Sequence, residues 1–318
     1  MLIVSPALAQ ANNGNWHTAS RWARMLGSDC RTGISGAWQG EPCELLIALH
    51  ARRSAASIDA FARAHPGRPL VVVLTGTDLY RDIRSDASAQ RSLQQATHLV
   101  VLQDQGVDEL PAALRGKCSV IYQSAPRLKP LPPPPPQRVL RVVSVGHLRD
   151  EKDPATFMRA AWHLRERSDI RFLHIGDGLD SALAAAALRT QAECPHYRWL
   201  GGLPRAATRQ HIRRAQVLVS TSRMEGGAHV ILEAAQSGTA VVASGIPGNL
   251  GMLGPGHAGY FELGDDAGLA KVVARSRDDP SFLAALRAQT VARAPWFEPA
   301  EERRRLVHLI TTALETPQ

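Results

Sequence analysis

Strand-length apolar runs alternate along this chain with stretches in which apolar residues return every three or four positions. In the first half the runs are Leu2 to Ser5, Glu44 to His50, Leu70 to Thr75, His98 to Gln103 and Ser119 to Gln123. A polar turn, Asn12-Asn13-Gly14-Asn15, precedes helical spacing through about Leu26, and Ala55 to Ala64 and Ser88 to Ala96 also read as helices. The pattern then restarts. Val139 to Val145, Arg171 to Ile175 and Tyr197 to Leu200 read as strands, and Ala155 to Arg167, Ser181 to Gln191 and Arg205 to Ala215 as helices. The tail from Pro280 to Thr312 is predicted helical. Alternation of this kind predicts an α/β fold of two doubly wound Rossmann-like domains, each a parallel sheet with helices on both faces.

Between the halves runs Pro126-Arg127-Leu128-Lys129-Pro130-Leu131 and five further prolines, Pro132 to Pro136. Proline fixes φ and has no N–H to donate, so this is a polyproline spacer and the domain boundary. The expected plan is residues 1–125, a linker at 126–138, a second domain at 139–295 and a last helix at 296–318. Two such domains leave a cleft between the carboxyl ends of their sheets, where ligands of doubly wound folds bind.

Val217 to Gly251 is the most informative stretch. A strand, Val217 to Ser220, enters the turn Ser222-Arg223-Met224-Glu225-Gly226-Gly227, and a helix starts near Ala228 with Val230, Ile231, Ala234 and Ala235 on one face. Gly238 reads as its stop, Ala240 to Ala243 as the next strand, and Gly245-Ile246-Pro247-Gly248-Asn249 as a loop. Strand, glycine turn and helix aim backbone N–H groups and a positive helix end at phosphate. Glu225 and Glu233 flank the turn with seven residues between them. A satisfied surface Glu explains Glu233 without function; a ligand-binding carboxylate explains the whole constellation.

Composition narrows the field. The 318 residues, 44% hydrophobic, suffice for two cores. Four scattered cysteines, Cys30, Cys43, Cys118 and Cys194, form no Cys-x-x-Cys pair and read as thiols of a reducing cytosol. Met1 to Pro6 reads as a first strand rather than a signal peptide, and no stretch is long enough to span a bilayer, so a cytoplasmic protein without membrane insertion is expected. The net charge of +8 raises nucleic-acid binding. The arginines are dispersed, however, and aromatics are only 5%, too few for base-stacking platforms, so no nucleic-acid partner is expected. Trp16 and Trp22 with Arg21 and Arg24 are the one faint membrane-surface candidate; a core-facing Trp pair is the simpler reading.

Three other places carry chemistry. Gly146-His147-Leu148-Arg149-Asp150-Glu151-Lys152-Asp153-Pro154 follows a strand and precedes a helix, and its cations suit a diphosphate. In Asn12 to Thr18, Gly14 allows close backbone approach and the following helix start favours an anion, although Asn15 as a helix cap needs no ligand. Leu74 to Asp82 ends a strand and carries Thr77, Asp78 and Arg81, for which a local salt bridge at a helix end is the alternative. No Asp-x-Asp occurs, so no metal is expected.

The Glu225 and Glu233 pair in its glycine turn resembles the donor site of glycosyltransferase family 4, retaining enzymes of GT-B fold. The resemblance implies that Glu225, with Gly226 and Gly227, approaches the transferred sugar and Glu233 holds the ribose hydroxyls. It also implies that the last helix, after Trp296-Phe297, crosses back to the first domain. A carboxylate, acceptor-only, suits a vicinal diol. Lys152 matches the family's diphosphate lysine; His147 stands where an arginine is usual, and Arg149 is the substitute for its charge. Gly14 and Asn15 correspond to the loop at the donor phosphates. Where the family often has His-Asp, this chain has Thr77-Asp78. Thr is no base near neutral pH, which leaves His17 or Asp78, or an acceptor that arrives already ionised.

Asn-Gly-Asn, Thr-Gly-Thr-Asp-Leu-Tyr-Arg-Asp-Ile, Gly-His-Leu-Arg-x-Glu-Lys-Asp-Pro, Met-Glu-Gly-Gly-Ala-His-Val and Gly-Asn-Leu-Gly-Met-Leu-Gly together are similar to the selenosugar synthase group of selenoneine biosynthesis. That similarity implies transfer from UDP-glucose or UDP-N-acetylglucosamine to selenophosphate, releasing UDP and phosphate. It implies no cofactor beyond the UDP-sugar co-substrate, organic cations in place of a metal, and pathway enzymes of selenium metabolism as partners. A family 4 enzyme acting on a lipid or saccharide hydroxyl is the alternative.

Overall fold

Two six-stranded parallel sheets organise the chain in a computed structural model, which describes residues 1–8, 14–129, 131 and 139–315. The chain divides into two compact units. The first comprises Met1–Gln123, Glu225–Gly227 and Pro299–Gln318, the second Ser124–Met224 and Ala228–Glu298.

The first sheet contains β1 (Leu2–Val4), β2 (Gly33–Ser35), β3 (Leu46–Leu49), β4 (Leu70–Leu74), β5 (His98–Val101) and β6 (Cys118–Val120), in the order β2-β1-β3-β4-β5-β6. Both faces of the central strands β3 and β4 are buried, so these read as unbroken apolar runs rather than alternating ones. Val4, Leu46, Val72, Leu74 and Val101 pack with Ile58 and Phe61 of α2 (Ala55–Ala64) and Leu93 of α4 (Ala87–Gln95). Their sequence neighbours Ile3, Ile47, Val71, Val73 and Val100 point the other way, as strand geometry requires. These meet Trp22 and Leu26 of α1 (Gly14–Leu26) and Leu306, Leu309 and Ile310 of α12 (Pro299–Glu315). A buried carboxylate anchors that face: Glu302 accepts from Arg21 Nε at 2.8 Å and Trp22 Nε1 at 2.7 Å. A π-helical turn, Asp78–Asp82, leads into the short α3 (Ile83–Ser85). Asp86 caps α4 by accepting the N–H groups of Ser88 and Ala89.

The second sheet runs β12-β11-β10-β7-β8-β9, from β7 (Leu140–Val145), β8 (Ile170–Ile175), β9 (Tyr197–Trp199), β10 (Val217–Ser220), β11 (Ala240–Ser244) and β12 (Tyr260–Phe261). Its helices are α5 (Pro154–His163), α6 (Ser181–Glu193), α7 (Arg205–Arg214), α8 (His229–Ala235), α9 (Pro247–Leu253), α10 (Asp266–Asp278) and α11 (Pro280–Ala292). Val142, Phe172, Tyr197, Val219 and Val242 form one continuous core with Phe157, Ala187, Leu269 and Leu286.

Several expectations need correction. Gly14 and Asn15 are already helical, since α1 starts at Gly14; Asn12 and Asn13 lie outside the described residues. The stretch Gly245 to Asn249 is not all loop. Pro247 occupies the first turn of α9, where its missing N–H costs nothing. Asn249 is buried and donates to Ser244 O at 3.0 Å and Ser244 Oγ at 3.1 Å. The helical tail is two helices, α11 and α12, separated by a 3-10 turn at Ala294–Phe297 and by Pro295 and Pro299. Of the proline run, residues 126–129 and 131 are described and the rest lies outside. Leu128 N–H donates to Gln236 O at 3.0 Å, so the described part is tied to α8.

Candidate functional site

In the second unit, β7 ends and its chain enters the loop Gly146 to Asp153. Gly146 N–H donates to Ile175 O at 2.8 Å, and Gly176, with φ of 152°, passes so close that a Cβ there would fall on the Gly146 carbonyl. His147 Nδ1 accepts the Asp177 N–H at 3.1 Å, stitching the loop to the end of β8. Burial holds the imidazole below its ordinary pKa; Asp177 opposes this, and the charges of Arg149 and Lys152 add to it. A neutral His147 therefore offers a proton on Nε2 but no charge at pH 7. The loop's cations are Arg149, exposed and 3.8 Å from Glu151, and Lys152.

This loop is bound to the segment after β10. Thr221 Oγ1 donates to Lys152 O at 2.8 Å, and Arg223 N–H to Glu151 O at 2.9 Å. Arg223 Nη2 also lies 3.4 Å from Asp153, which is buried in a left-handed conformation (φ 43°) and accepts from Thr156 Oγ1 at 2.8 Å. A non-glycine residue at positive φ inside such a lattice marks a loop whose shape is fixed by its surroundings.

Glu233 sits on the second turn of α8 and is 5% exposed, which removes the surface-Glu reading. Its Oε1 accepts from Arg205 Nε at 3.1 Å and lies 3.9 Å from both Arg209 Nε and His229 Nδ1. Burial lowers the pKa of Arg209, Glu233 raises it and Arg205 lowers it further. The guanidinium nevertheless stays charged, because arginine begins so far above neutrality. Arg205 and Arg209 were missed from the sequence, where α7 reads only as a basic helix. Their spacing of four places both on one helix face, which is the one signal available.

In the first unit, β3 and β4 end side by side. Asp78 is fully buried; Oδ1 accepts the N–H groups of Thr75 and Gly76 at 2.9 Å each, and Oδ2 that of Ala51 at 2.9 Å. Its lone pairs hold backbone. Arg81 pairs with its neighbour Asp82 at 3.0 Å, not with Asp78. The unforeseen member is His50, buried at φ 72°. Its Nε2 lies 3.1 Å from Thr77 Oγ1, and its Nδ1 accepts the Arg53 N–H at 3.3 Å. That bond assigns the proton to Nε2, so the imidazole donates to the Thr77 oxygen. Burial lowers the His50 pKa, against the pull of Asp78, so the ring is neutral. The buried Asp82 Oδ2 has no hydrogen-bond partner, with His50 Nε2 at 3.9 Å and Arg52 Nε at 3.6 Å.

Glu225, Gly226 and Gly227 group with the first unit, where a Cβ on Gly226 would meet the Thr75 carbonyl and one on Gly227 the Leu102 side chain. Burial, then the charges of Glu109 and Glu225, push the Tyr80 hydroxyl above its ordinary pKa, Gln103 opposing. Gly14, Asn15 and His17 lie together in the first turn of α1, Gly14 exposed and the others half-buried. The predicted residues thus fall into separate groups: His147, Arg149 and Lys152; Glu233 with α7; Thr77, Asp78 and Arg81 with His50; Glu225 to Gly227; and the start of α1. Among the described residues, no cluster of three or more His, Cys, Asp or Glu could hold a metal ion, and no helix is long and apolar enough to cross a membrane.

Residues 140–279, which apart from Glu225–Gly227 lie within the second unit, match the family model of glycosyl transferases group 1. Comparison with curated proteins gives no match. Among solved structures, Anabaena HepE in complex with UDP-glucose is 14% identical with a TM-score of 0.76, covering 98% of this chain and 99% of that one. The pneumococcal O-GlcNAc transferase GtfA, in complex with UDP and GlcNAc, is 18% identical with a TM-score of 0.70 over 86% of this chain. TarM of S. aureus, in a complex that includes UDP, is 13% identical with a TM-score of 0.67, also over 86%. This chain spans just over half the length of those two, 57% of GtfA and 55% of TarM. The fold is GT-B.

Proposed function

We propose that the chain is a cytoplasmic, metal-independent glycosyltransferase that uses a UDP-sugar, and that its acceptor is selenophosphate. Glu233 carries the reading. A carboxylate 5% exposed, bonded by Arg205 inside the segment of family likeness, is a rigid acceptor suited to a ribose diol. UDP in HepE and GtfA supports the choice of donor.

In this reading Arg149 and Lys152 take the diphosphate charge as the bond from the anomeric carbon to UDP breaks, with the His147 Nε2–H as a neutral donor beside them. Gly14 and Asn15 offer helix N–H groups suited to a phosphate. Glu225, Gly226 and Gly227 border the sugar. Thr77, Arg81 and His17 border the acceptor, with Asp78 fixing the loop that carries Thr77. Selenium attacks the anomeric carbon, UDP leaves with the bonding electrons, and water then cleaves the Se–P bond to give a 1-selenosugar and phosphate. Selenophosphate needs no base, which accords with an imidazole at His50 whose Nδ1 lone pair is already engaged by Arg53.

One observation favours a second reading, a hydroxyl acceptor. His50 touches Thr77, and a change of tautomer would leave a lone pair there to take a proton. Incubation with UDP-glucose or UDP-N-acetylglucosamine, and with selenophosphate or a sugar alcohol, followed by mass spectrometry, separates the two. A selenosugar with UDP release is expected; product only from the alcohol would establish the second reading.

A further inference from the structure

Parallel strands normally bury both faces, yet β7, β8 and β9 place arginines where a covering helix would require apolar side chains. Arg141 is opposite Arg171 across the β7–β8 ladder, and Arg198 is opposite Leu173 across β8–β9. Strand side chains alternate, so Arg141, Arg171, Leu173 and Arg198 share one face. The other face is the core under α5 and α6, with Leu140, Val142, Ile170, Phe172 and Tyr197. On the arginine side a cavity of about 370 Å³ opens, lined by Arg141, Arg171, Leu173, Pro195, His196 and Arg198.

Its electrostatics are one-sided. No carboxylate lines it, and among the described residues none pairs with these three exposed guanidiniums. Asp169, next to β8, is engaged by Arg167 at 2.8 Å and Arg277 at 3.0 Å. His196 adds no charge: burial lowers its pKa, the bond to Ala161 O at 3.0 Å opposes this, and Arg171 lowers it further. Like charges directly opposite on neighbouring strands repel, so this arrangement costs stability until an anion bridges them. The planar guanidinium fork matches phosphate oxygens in pairs, while Leu173 and Pro195 offer an apolar surface to the carbon part of a ligand. The volume is that of a small-molecule site.

We infer that this cavity binds a small phosphorylated metabolite at a second site, remote along the strands from the donor residues. Arg141 and Arg171 stand near the amino ends of β7 and β8, whereas the loop with Arg149 and Lys152 follows the carboxyl end of β7. A ligand at the arginine face acts on the protein without entering the transfer reaction, and the inference does not depend on the acceptor proposed above.

The test is calorimetry with inorganic pyrophosphate on the full chain at low salt, the donor side first saturated with UDP so that its diphosphate cations are occupied. One further pyrophosphate site is expected. Its affinity should fall about tenfold or more in Arg171→Ser/Arg198→Ser, in keeping with the loss of two charge-assisted contacts, while UDP affinity stays unchanged. Both side chains are exposed and Arg171 faces a like charge, so the variant should keep or raise its melting temperature. No uptake of pyrophosphate by the UDP-saturated protein, or equal uptake by the double variant, would overturn the inference. If UDP itself does not bind, the function proposed above fails, and the comparison of the two proteins for pyrophosphate still decides this one.

Discussion

Glu233 holds two helices together and is the residue on which the proposed donor site depends. Its carboxylate joins α8 to Arg205 and Arg209 of α7, so Glu233→Ala removes the ribose acceptor proposed here and leaves the largely buried Arg209 without its counter-ion. Affinity for UDP should drop roughly ten- to a hundredfold, the range of a lost charge-assisted hydrogen bond, as calorimetry would measure. An unaltered UDP affinity would remove the ribose role. Lys152→Ala should reduce turnover by about 10²- to 10³-fold with little change in melting temperature, because the lysine acts on charge that develops only as the diphosphate departs. Full turnover in a UDP-release assay would place the essential cation elsewhere. Glu225, Arg149 and Lys152 are candidates from spacing within one turn or loop, and Glu233 from its distance to Glu225. His50 and the pairing of Arg205 were not legible: His50 meets Thr77 27 residues away and Arg205 meets Glu233 28 residues away, contacts that local spacing does not encode.

At the scale of elements, the loop after β7 depends on backbone rather than side chains. Gly176 runs against the Gly146 carbonyl at a φ few other residues adopt, so Gly176→Ala must push the loop after β7 aside. Thermal unfolding should show a loss of about 1–3 kcal/mol, the usual cost of strain at such a position, together with weaker UDP binding. Wild-type values for both would mean the loop tolerates displacement. β3, β4, β10 and β11 were legible because they are buried along their whole length, which makes each an almost unbroken apolar run. Shorter and polar elements were not. β12 has two residues, too few for any period, and α9 begins Pro-Gly-Asn, a composition that reads as turn until Asn249 is seen buried against Ser244.

Taken whole, the molecule carries buried neutral histidines whose titration should set its acid limit. His174 lies in the core of the second unit with Nδ1 2.9 Å from Tyr197 Oη, and burial brings its pKa down from 6.5 to about 3. In the unfolded chain the same ring takes its proton near 6.5, so its contribution is complete above that pH. Stability is then lost steadily as the pH falls from 6.5 toward 3. His174→Gln should flatten the dependence of urea midpoint on pH in that window while lowering the midpoint at pH 7. An identical slope in the variant would assign the acid limit to other groups.

Pro299–Glu315 belongs to the first unit, its Glu302 closing on Arg21 and Trp22. During synthesis the first sheet therefore emerges with one flank covered by α1 alone and waits for the intervening sequence before α12 is made. Ribosome-bound intermediates should show the uncovered part of that flank as a chaperone target until α12 emerges.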